Sequence, residues 1–184
     1  TSLELVKKVR EAGIDADLGA WSGAWFEGFK SGRVASTING AWFGASLRDW
    51  NEPEARGDYE DVSGDWRVTY IPGKTYASMG GTYLSIPKYV PADEKAAAFE
   101  VIKFLCSTEV AQKINFEEAD AFPVLTTVYD DPIMDEEVEF FGGQKVRQIY
   151  ADVAKNMPVE NVTEFDLAAR AMFVNAMTQV LVDD

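Results

Sequence analysis

The sequence has no histidine, a single cysteine and few positively charged residues. Its 184 residues carry 31 Asp and Glu against 17 Lys and Arg, a formal net charge of −14. Without histidine, the usual Ser–His–Asp triads, His-ligated zinc and imidazole general bases are excluded. Cys106 alone forms neither an internal disulfide nor a thiolate metal cluster. The excess negative charge disfavours nucleic acids and anionic membranes, so we expect a neutral or cationic ligand and no nucleic-acid partner.

Long hydrophobic runs are absent as well. No apolar run approaches the roughly 18 residues that span a bilayer, and the first residues lack the basic-then-apolar order of a signal peptide. The hydrophobic fraction of 47% nevertheless suffices for a buried core. Residues 180–182, just before the end of the sequence, are apolar, and no glycine cap follows them. We expect a globular fragment of a longer protein, with any export signal outside this sequence.

Strand-like alternation and helical periodicity follow one another along the chain. Apolar and polar residues alternate over 33–39, 66–71 and 82–86, which predicts strands. Helices are predicted where apolar residues recur every three or four positions. They cover residues 5–12, 25–29, 42–50, 93–105, 110–116, 146–153 and 165–181. Strands that alternate with helices indicate an α/β fold.

Hydroxyl residues mark the starts of three of these helices. Thr1, Ser22 and Ser107 are predicted N-caps. Residues 51–65 are acidic and rich in turn formers, which predicts a loop. Methionine and phenylalanine recur at helical spacing over 172–180, which predicts a buried face.

Tryptophan is unusually dense in the first third of the chain. Trp21, Trp25, Trp42 and Trp50 are four of the five tryptophans. An indole face stacks on the C–H face of a pyranose, and a neutral polyol tolerates an acidic surface. Trp21 and Trp25 are candidates by residue type alone, and packing in a core is the alternative for every ring. Trp42 is the strongest candidate, because it follows the end of a predicted strand, where open α/β sheets bind ligands.

Two glycine pairs offer places where backbone approaches a ligand closely. Gly81 stands before Thr82 and Tyr83, so a hydroxyl and a ring would lie beside it. A turn that requires positive φ is the alternative. Gly142 and Gly143 precede a helix, and there we favour the turn.

The acidic residues select no catalytic or metal site. Residues 130–139 are dense in carboxylates, but their spacing fits no EF-hand loop and predicts a solvated helix face. The many carboxylates also provide candidate pairs for a glycosidase, and no spacing selects one of them. We therefore expect no metal, no cofactor and no enzymatic activity. A glycosidase and an aromatic-rich protein-interaction module remain the alternatives.

Five segments of the chain match, in order, the sequence pattern of one family. They are FKSGRVASTINGAW (29–42), WRVTYIPG (66–73), MGGTYLSIPKYVPADEKAAAFEVIKFLCSTEVAQ (79–112), FPVLTTVYDDP (122–132) and FGGQKV (141–146). The chain resembles the carbohydrate-binding, maltose-binding-protein-like solute-binding proteins of bacterial ABC importers.

This resemblance implies a type II periplasmic-binding-protein-like fold, in which two α/β lobes close on a sugar. Residues 1–82 and 124–184 would belong to the second lobe, and the helical segment 83–123 would cross to the first lobe. The implied protein is a monomer in the periplasm or a cell-surface lipoprotein. It binds a mono- or oligosaccharide and delivers it, chemically unchanged, to the permease of an ABC importer.

The resemblance also implies ligand-binding residues. Trp42 resembles the family's stacking tryptophan after an Asn-Gly turn, and residues 81–83 resemble the strand end that faces the cleft. Phe165 and Asp166 lie where relatives place a ring or a polar group against the ligand. The acidic insertion at 51–65 is longer than the loop that the family pattern implies.

Overall fold

The computed structural model describes residues 2–159 and 161–182. The chain divides into two compact units. The first unit contains the residues up to Val34 and those from Val159 onward, and the second contains Ala35–Pro158. These units are defined by contacts within the chain, and they do not test the lobe division implied by the resemblance. That division stays a prediction.

Three helices build the first unit. Helix α1 (Ser2–Glu11) packs against the last helix, α8 (Asp166–Val182). Helix α2 (Gly23–Lys30) lies between them in the sequence. The predicted cap of α2 is confirmed, because the Trp25 N–H donates to Ser22 Oγ over 3.2 Å. The other predicted cap, Thr1, lies outside the described residues.

Five further α-helices and three 3-10 helices build the second unit. The α-helices are α3 (Trp42–Asn51), α4 (Pro53–Arg56), α5 (Ala92–Ser107), α6 (Glu109–Ala119) and α7 (Val146–Asn156). The 3-10 helices are Thr126–Asp130, Pro132–Asp135 and Glu139–Phe141. Helix α5 packs against α6, α6 against the first 3-10 helix and α7 against the second.

The best-packed core of the second unit lies under the 3-10 helices. Its fully buried side chains are Phe116 and Val128, and Ile133 and Met134 complete the cluster. The partly buried rings and side chains around it are Phe122, Leu125 and Tyr129. This core depends on residues from α6 and from two 3-10 helices, so it forms only when those segments come together.

The three predicted strands do not form. Within the described residues no regular strand is present, and 33–39, 66–71 and 82–86 lack ladder partners. Backbone bridges occur singly, between Ile71 and Thr75 and between Val138 and Gln144. Alternating side chains favour an extended backbone, but a strand also needs a neighbouring backbone for its hydrogen bonds. The strand predictions are therefore corrected, and the α/β class stays a prediction.

Three smaller predictions also need correction. Thr108, not Ser107, caps α6, and its hydroxyl accepts from the Ala111 N–H. The acidic loop contains the short helix α4, which starts at a proline, a residue well suited to the first helical turn. The stripe predicted to be buried in α8 is not buried, since Met172 is 72% exposed and Ala176, Met177 and Val180 are only half-buried. Helical spacing places these side chains on one face but does not supply a surface to cover them.

Candidate functional site

Trp42 lies at the start of α3 with its indole edge held by backbone. Its indole N–H donates to the Met79 carbonyl over 3.3 Å. A Cβ at Gly40 would lie 2.6 Å from Trp42 Nε1 and 2.9 Å from that carbonyl, so only glycine fits there without a shift. A Cβ at Gly80 would lie 3.4 Å from the same nitrogen. The half-buried indole is thus fixed in position by two glycine-lined stretches of backbone.

The other residues predicted beside Trp42 follow directly after this contact. Gly81 has φ +144°, a conformation that suits glycine. Thr82 is exposed, and Tyr83 is 95% exposed. In the described part of the chain, the Tyr83 ring makes no contact with another ring. The structure therefore brings Trp42 into contact with residues 79–80. Tyr83 is close to these residues in the sequence, but its ring lies exposed on the surface.

The two tryptophans of the first unit have different surroundings. The Trp25 ring is half-buried and lies edge-to-face on the buried Phe29, with centroids 5.0 Å apart. Trp21 lies over Trp25 at 5.1 Å and is 61% exposed. Trp25 thus fits the packing alternative, whereas Trp21 presents its ring to solvent.

Phe165 and Asp166 stand at the start of α8. The Thr163 hydroxyl donates to Asp166 Oδ1 over 2.6 Å and accepts from the Phe165 N–H over 3.3 Å. The Thr163 hydroxyl thus forms a Ser/Thr turn with the N–H two residues on, and the Asp166 carboxylate holds that hydroxyl in place. Asp166 therefore has a structural task, and the Phe165 ring is 68% exposed.

The second glycine pair forms a turn, as favoured from the sequence. The Gly142 N–H donates to the Glu139 carbonyl over 2.7 Å, and the Gly143 N–H donates to the Val138 carbonyl over 3.1 Å. The next side chain, Gln144, exchanges two hydrogen bonds with Val68. Its amide accepts from the Val68 N–H over 2.8 Å and donates to the Val68 carbonyl over 2.7 Å. The Gln144 side-chain amide thereby makes the two backbone hydrogen bonds that a neighbouring strand would make with Val68.

A shallow depression of about 540 Å³ lies beside this turn. Its lining residues are Ser63, Gly64, Glu137, Glu139, Gly142 and Gly143. None of the residues predicted to bind a ligand lines it. The depression therefore gives no support to the predicted site, and the evidence for that site is the setting of Trp42.

A polar cluster around Asp152 was not predicted from the sequence. The hydroxyls of Tyr70 and Tyr76 donate to Asp152 Oδ2 over 2.8 and 3.4 Å. The Asp152 hydrogen bond and burial raise the pKa of Tyr70, and a hydrogen bond to Tyr76 raises the pKa of Lys74. The cluster joins the turn at 71–75 to α7. More than seventy residues separate Asp152 from the two tyrosines, so no local pattern could have indicated the cluster.

In the acidic segment 51–65, the Asn51 side chain connects the start of the segment to residues 61–63 by hydrogen bonds. The Asn51 amide donates to Asp61 over 2.8 Å and to Ser63 over 2.9 Å, and it accepts from the Val62 N–H over 3.0 Å. The Asn51 and Ser63 hydrogen bonds hold the pKa of Asp61 well below its usual range. Arg56 adds an ion pair with Asp61 at 3.2 Å.

Two features of other protein classes are absent from the described part of the chain. No three Cys, Asp or Glu side chains there converge as metal ligands would. None of the helices described is both long enough and apolar enough to cross a bilayer.

Comparison with known proteins identifies the family. The model of the bacterial extracellular solute-binding protein family matches residues 2–142 of the 184-residue chain. No curated protein and no solved structure matches the chain. Because the family match covers well over half of it, the chain belongs to the bacterial extracellular solute-binding proteins, and the resemblance inferred from the sequence is confirmed.

Family membership carries several general consequences. The family fits a periplasmic-binding-protein-like fold and implies a location outside the cytoplasm. Its members bind a solute for ABC import, which implies a ligand and a permease as partners. The family is generally not enzymatic.

Proposed function

We propose that this chain binds a neutral mono- or oligosaccharide outside the cytoplasm and presents it, chemically unchanged, to the permease of an ABC importer. The observation that carries the proposal is the setting of Trp42. Its indole is half-buried and held at the edge by the Met79 carbonyl. A ring fixed in this way loses little conformational entropy when a ligand stacks on it.

The chemistry of the chain favours a sugar over other solutes. An indole face suits the apolar C–H face of a pyranose, and exposed backbone at residues 80–83 offers hydrogen-bond partners for hydroxyls. The net charge of −14 repels anionic solutes at long range. A neutral polyol avoids that repulsion.

The proposal includes the architecture implied by the resemblance. In it, 1–82 and 124–184 belong to the second lobe of a monomeric type II fold, and the helical segment 83–123 crosses to the first lobe. Support comes from the family match over residues 2–142 and from the helices α5 and α6, which occupy most of 83–123.

Isothermal titration with maltotriose, cellotriose and xylotriose tests the proposal. We expect at least one sugar to bind, and Trp42→Ala to weaken it at least tenfold, or about 1.4 kcal/mol. Tyr89→Ala is the control, because that ring is 88% exposed and lies outside the proposed site. Circular dichroism of each variant checks that it is folded.

Two results would contradict the proposal. One is an affinity for the sugar that does not change in a folded Trp42→Ala variant. The other is turnover, which is measured by incubating the protein with fluorescently labelled oligosaccharides. Any cleavage product made by the parent protein would support the glycosidase alternative instead.

A further inference from the structure

Asp120 has a backbone conformation for which glycine is the usual residue. It follows the last residue of α6 and has φ +50°, in the left-handed region. Glycine is common at such helix ends because it has no Cβ to crowd the backbone. Aspartate tolerates the conformation, but the helix end alone does not require a carboxylate.

The Asp120 carboxylate lies between two arginines from other helices. Arg48 of α3 donates from Nη1 to Asp120 Oδ2 over 2.6 Å. Arg147 of α7 places Nη2 at 4.0 Å from Oδ1. The side chain of Asp120 is half-buried. One carboxylate at the end of α6 thus connects α3 with α7.

Arg147 ties this carboxylate to the packed core. Its guanidinium lies over the Phe116 ring at 4.8 Å and donates to the Ile133 carbonyl over 3.0 Å. It also forms an ion pair with Glu136 at 2.6 Å. Phe116 and Ile133 are both members of the core cluster. Asp120 is therefore held against the best-packed part of the second unit.

The helix that carries Arg48 also carries Trp42. The two residues are six positions apart on α3, less than two helical turns. Between them, a Cβ at Gly44 would lie 3.0 Å from the Phe141 ring and 3.4 Å from the Tyr150 hydroxyl. Positions 44 and 48 share one face of the helix, because they are four residues apart. This face of α3 is thus held by close packing at one position and by an ion pair at the other.

The position of the Trp42 ring depends on the position of α3. The ring lies edge-to-face on the buried Phe43 of the same helix, with centroids 5.7 Å apart. Its indole N–H reaches the carbonyl of Met79, which belongs to a different segment. A shift or rotation of α3 would therefore change both the direction of the ring and its distance from that carbonyl.

We propose that Asp120 is a positioning residue for Trp42: through Arg48 it holds α3 against the packed core and so fixes the place of the indole. The consequence for binding rests on the proposed function, because a well-placed indole raises the affinity for a sugar that Asp120 itself does not touch. All of the residues involved belong to the second unit.

Two variants of the full chain remove this ion pair. Asp120→Gly deletes the carboxylate and keeps the left-handed helix end, since glycine adopts it without strain. Arg48→Gln deletes the cation. We expect the indole N–H resonance of Trp42, assigned by its loss in Trp42→Phe, to move in both variants. Isothermal titration with maltotriose, cellotriose and xylotriose should show a bound sugar weakened about three- to fivefold.

Lys113→Gln is the matched control. It removes the ion pair between Lys113 of α6 and Asp131, which does not involve α3. In both pairs the cation is 38% exposed and the carboxylate is 21% or 22% exposed. The Trp42 resonance and the sugar affinity should stay as in the parent protein. Arg48→Lys retains a cation for Asp120 and should restore most of both. Circular dichroism checks that each variant is folded.

The outcomes separate this proposal from the proposed function. An unmoved Trp42 resonance in a folded Asp120→Gly variant overturns the positioning role, because glycine would then serve the helix end as well as aspartate does. An equal movement in Lys113→Gln overturns it too. If the resonance moves while the affinity for a bound sugar is unchanged, Asp120 does not act on binding and the proposal is wrong, although Trp42 still binds the sugar. If none of the three sugars binds the parent protein, the proposed function fails, and the resonance alone decides whether Asp120 positions Trp42.

Discussion

Two neighbouring regions of the second unit differ sharply in how their side chains are packed. The exposed region, residues 77–107, contains α5 and buries none of its side chains. The packed region, residues 111–151, consists largely of short 3-10 helices and turns, yet it contains the fully buried Phe116 and Val128. The region that contains the longer helix, α5, is therefore the less buried of the two regions.

This difference shows that local regularity and burial have separate causes. Helix α5 is rich in alanine and other residues with good helix propensity, so it forms from local preferences. The 3-10 helices have weaker backbone hydrogen-bond geometry. They persist because burying Ile133 and Met134 against the Phe116 cluster stabilises them. Four experiments test how far the two regions differ.

The largest effect is expected from a ring deletion in the packed region. Phe116→Ala should lower the free energy of unfolding by about 3 to 5 kcal/mol, because it leaves a cavity in the core. Phe104→Ala, in the exposed region, is the matched control, since its ring is 51% exposed. It should change that free energy by about 0.5 kcal/mol or less. Urea denaturation followed by tryptophan fluorescence measures both, and equal effects would contradict the contrast between the regions.

One buried side chain links the two regions. Gln112 donates to the Leu105 carbonyl over 2.8 Å and accepts from the Val124 N–H over 2.9 Å. Gln112→Leu should cost about 2 to 4 kcal/mol, because it leaves a carbonyl and an N–H without their partner.

The control for this prediction is Gln148→Leu, because Gln148 is exposed and bonds only to Asp135. It should change the free energy of unfolding by about 0.5 kcal/mol or less. Hydrogen exchange adds a second readout, since Gln112→Leu should speed exchange at the end of α5. If exchange there stays as in the parent, the proposed link between the regions is wrong.

A half-buried tyrosine gives the packed region a pH dependence. Burial, with a smaller contribution from Asp120, raises the pKa of Tyr150 to about 12. In the unfolded chain a tyrosine titrates near pH 10. The folded state therefore retains the proton longer, and about 2 to 3 kcal/mol of stability, complete below pH 10, is lost as the pH rises to about 12.

Denaturation between pH 8 and 12 measures this loss. Tyr150→Phe keeps the ring and removes the titrating group, so its stability should fall less over that range. The stability of Tyr89→Phe, a variant in the exposed region, should fall over that range by as much as the stability of the parent protein. An unchanged alkaline profile in Tyr150→Phe would assign the loss to other groups.

The smallest effect is expected at the contact between Trp42 and Met79 of the exposed region. Gly40→Ala would push a Cβ against Trp42 Nε1 and the Met79 carbonyl. The indole hydrogen bond should weaken, at a cost of about 1 to 2 kcal/mol. Gly19→Ala is the control, because its Cβ meets nothing within 4 Å. The indole N–H resonance of Trp42 should move in Gly40→Ala alone, and a fixed resonance would contradict the contact.

The predicted site follows the same division between local and tertiary information. The density of tryptophan and the Asn-Gly turn indicated Trp42, and glycine at position 40 has a spatial reason that the sequence could not show. Trp25 was a candidate by residue type and Asp166 by the family resemblance, but Trp25 packs on Phe29 and Asp166 accepts from Thr163. Residue type describes what a side chain is able to do, and its neighbours in space decide what it does.

By itself the sequence determined the helices, the family and the exclusion of histidine chemistry, because these depend on composition and on patterns within a few turns of chain. Only the tertiary structure decided which apolar faces are buried. It left α5 largely exposed and the stripe on α8 at most half-buried, and it closed a core around the 3-10 helices. Burial depends on contacts between residues far apart in sequence. Such contacts leave no periodic signal, since each partner satisfies only its own local preferences until the chain has folded.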